Sequence, residues 1–214
     1  MRVAVIGGTG KEGFGLAARW ARAGHHVIIG SRSADKAAEA ASRAKALAPA
    51  GTVRGAANRD AASEAEVITL TIPFSGHEPI LAEIRPAASG KPVIDTTVPL
   101  RRYAPPELED VPAGSAAAGV QALLPDARVA AAMHSVSSVK LARFEEPLEG
   151  DVLYCGDDAA ARRACAELIE ALGMRPLDAG GLAAAGALES LAALIIGMNQ
   201  RYKRRAIGIR FTGI

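Results

Sequence analysis

The stretch Arg2-Val3-Ala4-Val5-Ile6-Gly7-Gly8-Thr9-Gly10-Lys11-Glu12-Gly13 decides the fold. After Arg2, residues 3–6 are apolar and mostly β-branched, which predicts a buried strand. The glycines then spell G-x-G-x-x-G at Gly8, Gly10 and Gly13. Alone that pattern is weak, and its meaning depends on what surrounds it. Here Lys11 to Ala23 carries Phe14, Leu16, Ala17, Trp20 and Ala21 at helical spacing, and Gly24 stops the run as a C-cap. His26 to Ile29 reads as a second short strand. Strand, glycine turn, helix and second strand fall in the register of a dinucleotide-binding unit. Gly8 permits the sharp turn, Gly10 offers no Cβ to block a pyrophosphate, and Gly13 lets the helix pack close to the strand. The first amides of the helix have no acceptors in the helix itself and point, with its dipole, at the phosphates.

The end of the second strand selects the nucleotide. An NAD site places a carboxylate there for the ribose 2′-hydroxyl. This chain has Gly30-Ser31-Arg32-Ser33 followed by Lys36, with Asp35 beyond the strand end. A hydroxyl, a guanidinium and an ammonium suit a 2′-phosphate, which arginine pairs in a bidentate fork. The cofactor expected is NADP(H). Ser33 or Asp35 opens a helix that runs to about Leu47.

The rhythm continues along the chain. Short strands are expected at 53–55, 66–72, 92–95 and 128–133. Helices are expected after Asn58 and Asp60, at 75–88 and at 115–124, with a proline-rich loop from Pro99 to Pro112. The strands are too uniformly apolar to alternate, so they run parallel with helices on both faces. The fold class is therefore α/β, a Rossmann-type doubly wound parallel sheet. Beyond about residue 145 come a strand at 151–155, a helix at 158–172, a strand at 174–177 and a long helix at 183–201. A boundary near 145 divides the chain into a dinucleotide-binding domain, residues 1–145, and a small C-terminal α/β extension, residues 146–214, unless the last strands extend the same sheet.

Composition narrows the function. The chain has 214 residues, 50% apolar and 22% charged, enough for one real core and incompatible with disorder. A net charge of +2 gives no footing for nucleic acid. The two cysteines, Cys155 and Cys165, form neither a disulfide framework nor a C-x-x-C, and no metal site is expected. A strand beginning at residue 3 leaves no room for a cleavable leader. The longest apolar stretch, Leu182 to Met198, is interrupted and falls short of the ~20 residues of a membrane span. The expectation is a cytoplasmic protein with a small-molecule partner and no membrane or nucleic-acid partner. The apolar helix from Leu188 to Met198 is expected to pack against a second subunit or against the sheet, and the protein is expected to be a homodimer.

The nucleotide should lie across the carboxyl ends of the strands. The loops there are Thr71-Ile72-Pro73-Phe74, Thr97-Val98-Pro99 and Met133-His134-Ser135-Val136-Ser137-Ser138. They are small or apolar, a lining that holds a flat ring and excludes water. His134 is the one acid/base candidate, with a structural hydrogen-bonder as the other reading. His77 reads as a helix cap near the cofactor, His25 and His26 as structural residues at the opposite end of the sheet, and Lys140 as a solvated loop lysine or a residue facing the site.

These residues resemble the F420:NADP oxidoreductases, the NADPH-dependent reductases of coenzyme F420. The resemblance spans nearly the whole chain. It runs from Val5-Ile6-Gly7-Gly8-Thr9-Gly10 through Ile29-Gly30-Ser31-Arg32-Ser33 with Lys36, then Thr71-Ile72-Pro73, Gly114-Ser115-Ala116-Ala117, Leu124-Pro125-Asp126 and the His134 segment. It continues in Asp151-Val152-Leu153, Asp157-Asp158, Glu189-Ser190-Leu191 and Asn199-Gln200-Arg201-Tyr202-Lys203. The resemblance implies reversible hydride transfer between NADPH and carbon 5 of a deazaflavin, with coenzyme F420 as co-substrate. By matching positions it implies that Thr9, Gly10, Lys11, Glu12, Ser31, Arg32 and Lys36 hold NADP. Ile72, Pro73, Val98 and Ser138 would line the nicotinamide side, and His134 and Ser190 would face the deazaflavin. One stretch departs from the family. Where it usually has polar residues and an arginine before Glu189, and a threonine after Ser190, this chain has Ala183-Ala184-Ala185-Gly186-Ala187 and Ala192. The basic run Arg201, Lys203, Arg204, Arg205 either attracts the coenzyme's phosphate and glutamates or complements its own helix dipole.

Two other readings remain at the level of sequence. One is an NADPH-dependent reductase of a ketone, imine or metal ion. The other is an NADP(H)-binding redox sensor without catalysis, since fold does not fix function. The related β-hydroxyacid dehydrogenases add a helical domain of ~100 residues or more, and too little chain remains here for one.

Overall fold

A computed structural model describes residues 1–214. The elements follow in order as β1 (Arg2–Ile6), α1 (Lys11–Arg22), β2 (His26–Ser31), α2 (Ala34–Leu47), β3 (Thr52–Ala57), α3 (Asn58–Glu64) and β4 (Val67–Leu70). Next come α4 (His77–Ala88), β5 (Pro92–Asp95), β6 (Leu100–Tyr103), β7 (Pro106–Leu108), α5 (Ala116–Leu123) and β8 (Arg128–Ala132). The chain continues with α6 (Ser138–Leu141), β9 (Asp151–Gly156), α7 (Ala159–Glu170), β10 (Arg175–Asp178) and α8 (Ala185–Arg201).

Eight strands form one sheet in the order β10-β9-β8-β5-β4-β1-β2-β3. The block from β3 to β8 is parallel throughout. The strand order reverses at β1, so β2 and β4 flank it and their loops part above the glycine turn. This is the doubly wound Rossmann-type sheet expected from the sequence. β9 pairs antiparallel with β8, and β10 then runs parallel to β9. A parallel return needs a crossover of a dozen or more residues, usually a helix. The β8–β9 connection, residues 133–150, is long enough but holds no crossover helix beyond the single turn of α6, and β9 enters antiparallel. Residues 146–214 thus continue the same sheet.

Each strand of the parallel block feeds two cores. Val3 and Val5 of β1 pack on one face with Leu16, Trp20 and Ile29, while Ala4 and Ile6 pack on the other with Ile68, Leu70 and Leu81. This is the period-2 alternation of a strand covered on both sides. Trp20 is fully buried and its indole N–H donates to Leu168 O at 2.9 Å, which ties α1 to α7 across one face. β3 is longer than its apolar run suggests. Its Gly55 is required by close approach, since a Cβ there would lie 2.2 Å from the Ala37 backbone.

The proline-rich stretch expected to be a loop instead contains the β6–β7 hairpin. Both strands are edges, so Pro106 lacks no ladder bond that a sheet interior would require. The final residues fold back along β9. Asp151 N donates to Ile209 O at 2.9 Å, and Asp151 Oδ2 accepts from Phe211 N. Arg175 grips the same carboxylate through two nitrogens, at 2.9 and 2.6 Å. The Arg175 hydrogen bonds hold the Asp151 carboxyl below its ordinary range.

The helical run Leu182–Arg201 corrects the sequence count. With the 3₁₀ turn Leu182–Ala184 leading into α8 it reaches 20 residues, long and apolar enough by length and composition to cross a membrane. Within this chain it packs against α5, β8 and β9. Its buried Glu189 satisfies the first amides of α5, accepting from Ala116 N at 2.9 Å and Ala117 N at 3.4 Å.

Candidate active site

A cavity of about 1150 Å³ opens across the carboxyl ends of β2, β1, β4, β5 and β8. It is lined by the glycine turn, the end of β2, the loops after β4, β5 and β8, the hairpin, one face of α8 and the chain that follows α8.

At the turn, Gly7 adopts φ +79°, where a Cβ would lie 2.7 Å from Ile72 Cγ2. Phe14 is the first residue of α1 whose amide closes on a backbone carbonyl before the helix, Gly10 O at 2.8 Å. The amides of Lys11, Glu12 and Gly13 precede it and have no acceptor within the helix. Gly10 caps the helix without a side chain, and a Cβ there would meet only Gly7 O at 3.4 Å. The space above these amides is open. Gly8 and Gly13 are not on the cavity wall and act beneath it. A Cβ on Gly8 would come 2.8 Å from Val5 O, and one on Gly13 would come 2.3 Å from Thr71 Oγ1 and 2.8 Å from Gly8 Cα.

At the end of β2, Ser31 is buried and its Oγ accepts from Ser33 N at 3.3 Å. Ser33 Oγ accepts from Lys36 N at 3.4 Å, so Ser33 rather than Asp35 caps α2. That cap turns Arg32 and Lys36 onto the cavity wall, both exposed and neither in an ion pair. No carboxylate shares this end of the cavity. These donors, an open helix N-terminus and unpaired cations beside a serine, fit a dinucleotide with a 2′-phosphate.

The central wall is braced from below. Thr97 Oγ1 donates to Asp95 Oδ1 at 2.7 Å, His77 Nε2 sits 2.9 Å from Thr97 Oγ1, and Thr96 Oγ1 donates to Leu70 O at 2.9 Å. His77 therefore holds the loop that carries Val98 instead of capping α4, whose cap uses no side chain. Burial lowers the His77 pKa to about 4 and raises that of Asp95 to about 7. Ile72, Pro73, Val98, His134 and Ser138 all reach the cavity wall. Both ring nitrogens of His134 are buried without a partner, and burial lowers its pKa to about 4. The imidazole is neutral near pH 7 and offers one donor and one acceptor to whatever fills the space.

Glu12 is the single carboxylate on the wall. Burial, reinforced by Asp95, raises its pKa to about 8, so it is largely neutral near pH 7. The cations Lys11, Arg32, Lys36, Arg204 and Arg205 then stand unopposed along the wall. No group of histidines, cysteines or carboxylates is arranged to hold a metal.

Ser190 is not on the wall. It lies exposed on α8 and its Oγ donates to Gly186 O at 2.8 Å. Ala192 and Ile195 of the same helix face the cavity instead. Lys140 lines a separate cavity of about 320 Å³ beneath the final residues. Several residues are on the wall with no sign of it in the sequence. Asn58 reads there as a cap, yet it is buried on the wall with an unpartnered Oδ1. Leu100, Tyr103, Asn199 and Ile207 reach the cavity only because the hairpin and the chain end fold back over it. No local sequence signal carries that information.

A family model described as NADP oxidoreductase, coenzyme F420-dependent, matches residues 2–99. The F420-dependent NADP reductase of Methanothermobacter thermautotrophicus is 40% identical, covering all of this chain and 96% of its own length. That of Methanocaldococcus jannaschii is 35% identical over all of this chain and 99% of its own. A crystal structure from Arthrobacter sp. FB24, of a protein provisionally named an F420-dependent NADP reductase, superposes with a TM-score of 0.84 at 25% identity. The match covers 99% of both chains.

Proposed function

The chain belongs to the family of coenzyme F420-dependent NADP oxidoreductases, and we propose that it transfers a hydride between C4 of NADP(H) and C5 of the deazaflavin. One observation carries this most directly. A single cavity joins the glycine turn and the Ser31-Arg32-Lys36 cluster to an apolar chamber walled by Ile72, Val98, Ala192 and Ile195. Thr9, Gly10, Lys11, Glu12, Ser31, Arg32 and Lys36 hold the dinucleotide. Ile72, Pro73, Val98 and Ser138 fix the nicotinamide ring. The two rings carry the redox chemistry, and the protein supplies proximity, alignment and a dry chamber. His134 is neutral near pH 7, so it offers the deazaflavin one N–H donor and one acceptor nitrogen rather than an imidazolium acid. Residues 146–214 contribute α8 and the final residues to that side.

NADPH and oxidised deazaflavin mixed in a stopped-flow instrument should show loss of the deazaflavin absorbance with stoichiometric NADPH oxidation. NADPH oxidised only by ketones, imines or metal ions would contradict the reading, and so would tight nucleotide binding without turnover.

Leu194 and Met198 stand one turn apart on α8, 60% and 36% exposed, an apolar pair that this chain leaves partly open to solvent. We infer that a second copy covers it and that the enzyme is a homodimer. Sedimentation at micromolar concentration should give the dimer mass, and Leu194→Glu should give the monomer. A wild-type monomer would refute the inference. The net charge of +2 and two buried free cysteines suit a cytoplasmic enzyme of diffusible co-substrates, with no membrane or nucleic-acid partner.

A further inference from the structure

The cavity has a second cationic end, away from the Ser31-Arg32-Lys36 cluster. Arg204 and Arg205 lie on its wall. Neither enters an ion pair. Their backbone is held in place. Arg204 N donates to Asn199 O at 2.8 Å, and Ser137 Oγ donates to Arg205 O at 3.0 Å. Ile207 N donates to Asn199 Oδ1 at 3.1 Å, and Lys203 takes the left-handed conformation, φ 50°, that turns the chain out of α8. The Asp151–Arg175 pair then pins the end of the chain to β9. Many polar contacts thus fix this segment over the cavity, and its two guanidinium groups are left without partners.

Its position separates it from the 2′-phosphate end. Ser137 follows β8, whereas Ser31 and Arg32 follow β2, and β1, β4 and β5 lie between them. Four strand spacings put the two ends about 19 Å apart. Ser138, on the nicotinamide side, adjoins Ser137. Arg204 and Arg205 therefore lie beyond the nicotinamide, where a molecule stacked on it would extend. With Glu12 largely neutral near pH 7, no carboxylate on the wall competes for them.

We propose that Arg204 and Arg205 form an anion subsite for the phosphodiester and carboxylate tail of the deazaflavin, which anchors the co-substrate in place of polar groups at positions 186 and 192. The inference rests on the deazaflavin reading above. Arginine suits both oxyanions because its fork pairs them in a bidentate manner. The helix-dipole alternative needs only positive charge near the last turn of α8 and leaves a lysine as good as an arginine.

The test compares Arg204→Ala/Arg205→Ala and Arg204→Lys/Arg205→Lys with the wild type. Dissociation constants come from deazaflavin fluorescence without NADPH, and KM values from steady-state turnover. Three ligands serve as probes: the full coenzyme, the coenzyme cut back to its phosphodiester without glutamates, and the ring with its polyol alone. The alanine variant should weaken the full coenzyme at least about tenfold and the tail-less ring much less. The lysine variant should recover part of the loss, and added salt should weaken the full coenzyme more than the ring. A loss that persists with the phosphodiester form assigns the subsite to phosphate; a loss confined to the full coenzyme assigns it to the glutamates. Equal dissociation constants for coenzyme and tail-less ring in the wild type would overturn the subsite alone. A wild-type protein that binds and turns over neither would overturn the deazaflavin reading and the subsite with it.

Discussion

Replacing Arg32 by alanine is expected to raise KM for NADPH about 10- to 100-fold, the loss of a charge-assisted contact of roughly 1.5–3 kcal/mol. KM for NADH should stay within about twofold, because an exposed side chain away from other contacts contributes little. The selectivity follows from geometry. Arg32 is turned to the cavity by the Ser33 cap of α2 and has no carboxylate partner, so its removal leaves no buried charge and breaks no internal ion pair. Adding Lys36→Ala should deepen the loss for NADPH and still spare NADH. Steady-state kinetics with both nucleotides measures this. An equal rise for NADPH and NADH would remove the 2′-phosphate from the end of β2.

Gly13→Ala should act in the opposite pattern, weakening both nucleotides alike and lowering stability. The added methyl would sit 2.3 Å from Thr71 Oγ1, 2.8 Å from Gly8 Cα and 3.1 Å from Gly7 O. Thr71 cannot swing aside freely, since its hydroxyl donates to Ile6 O at 2.9 Å. The other two contacts are backbone atoms of the turn itself. Forcing α1 away from β1 should destabilise the fold by about 1–3 kcal/mol. It should also withdraw the free amides from the pyrophosphate. Chemical denaturation and nucleotide titration report the two effects. Because the backbone contacts remain, Gly13→Ala/Thr71→Ala should recover only part of the lost stability. Full recovery would mean that the threonine, and not the turn, sets the packing limit.

Whatever depends on short-range pattern was legible in the sequence. The glycine turn, the Ser31-Arg32 strand end and the apolar strands each follow from neighbours within one helical turn or one strand. They led directly to the doubly wound sheet and to the cluster at the β2 end. What escaped was set by contacts distant in sequence. Thr97 reads as one more loop threonine until the fold brings His77 and Asp95 to it. Asn58 opens a short helix, and only the packing of α3 under β2 puts its amide on the cavity wall. The antiparallel entry of β9 depends on the β8–β9 connection, whose only helix is the single turn of α6. The hairpin within a proline-rich stretch, and the chain end clamped by Asp151 and Arg175, likewise carry no period that marks where they dock. Ser190 shows the reverse case. A family match brings it to the site, while the helix turns its hydroxyl back onto its own backbone.

Isotope transfer tests the central claim most directly. NADPH carrying deuterium on the transferred position of C4 is mixed with oxidised deazaflavin in ordinary water, and the reduced product is analysed by mass spectrometry and NMR. Face-to-face rings in one cavity require the label on C5 of the deazaflavin, with the stereochemistry of a single face. Label lost to solvent, or scattered over both faces, would contradict direct transfer between two nucleotide-like rings held in this cavity.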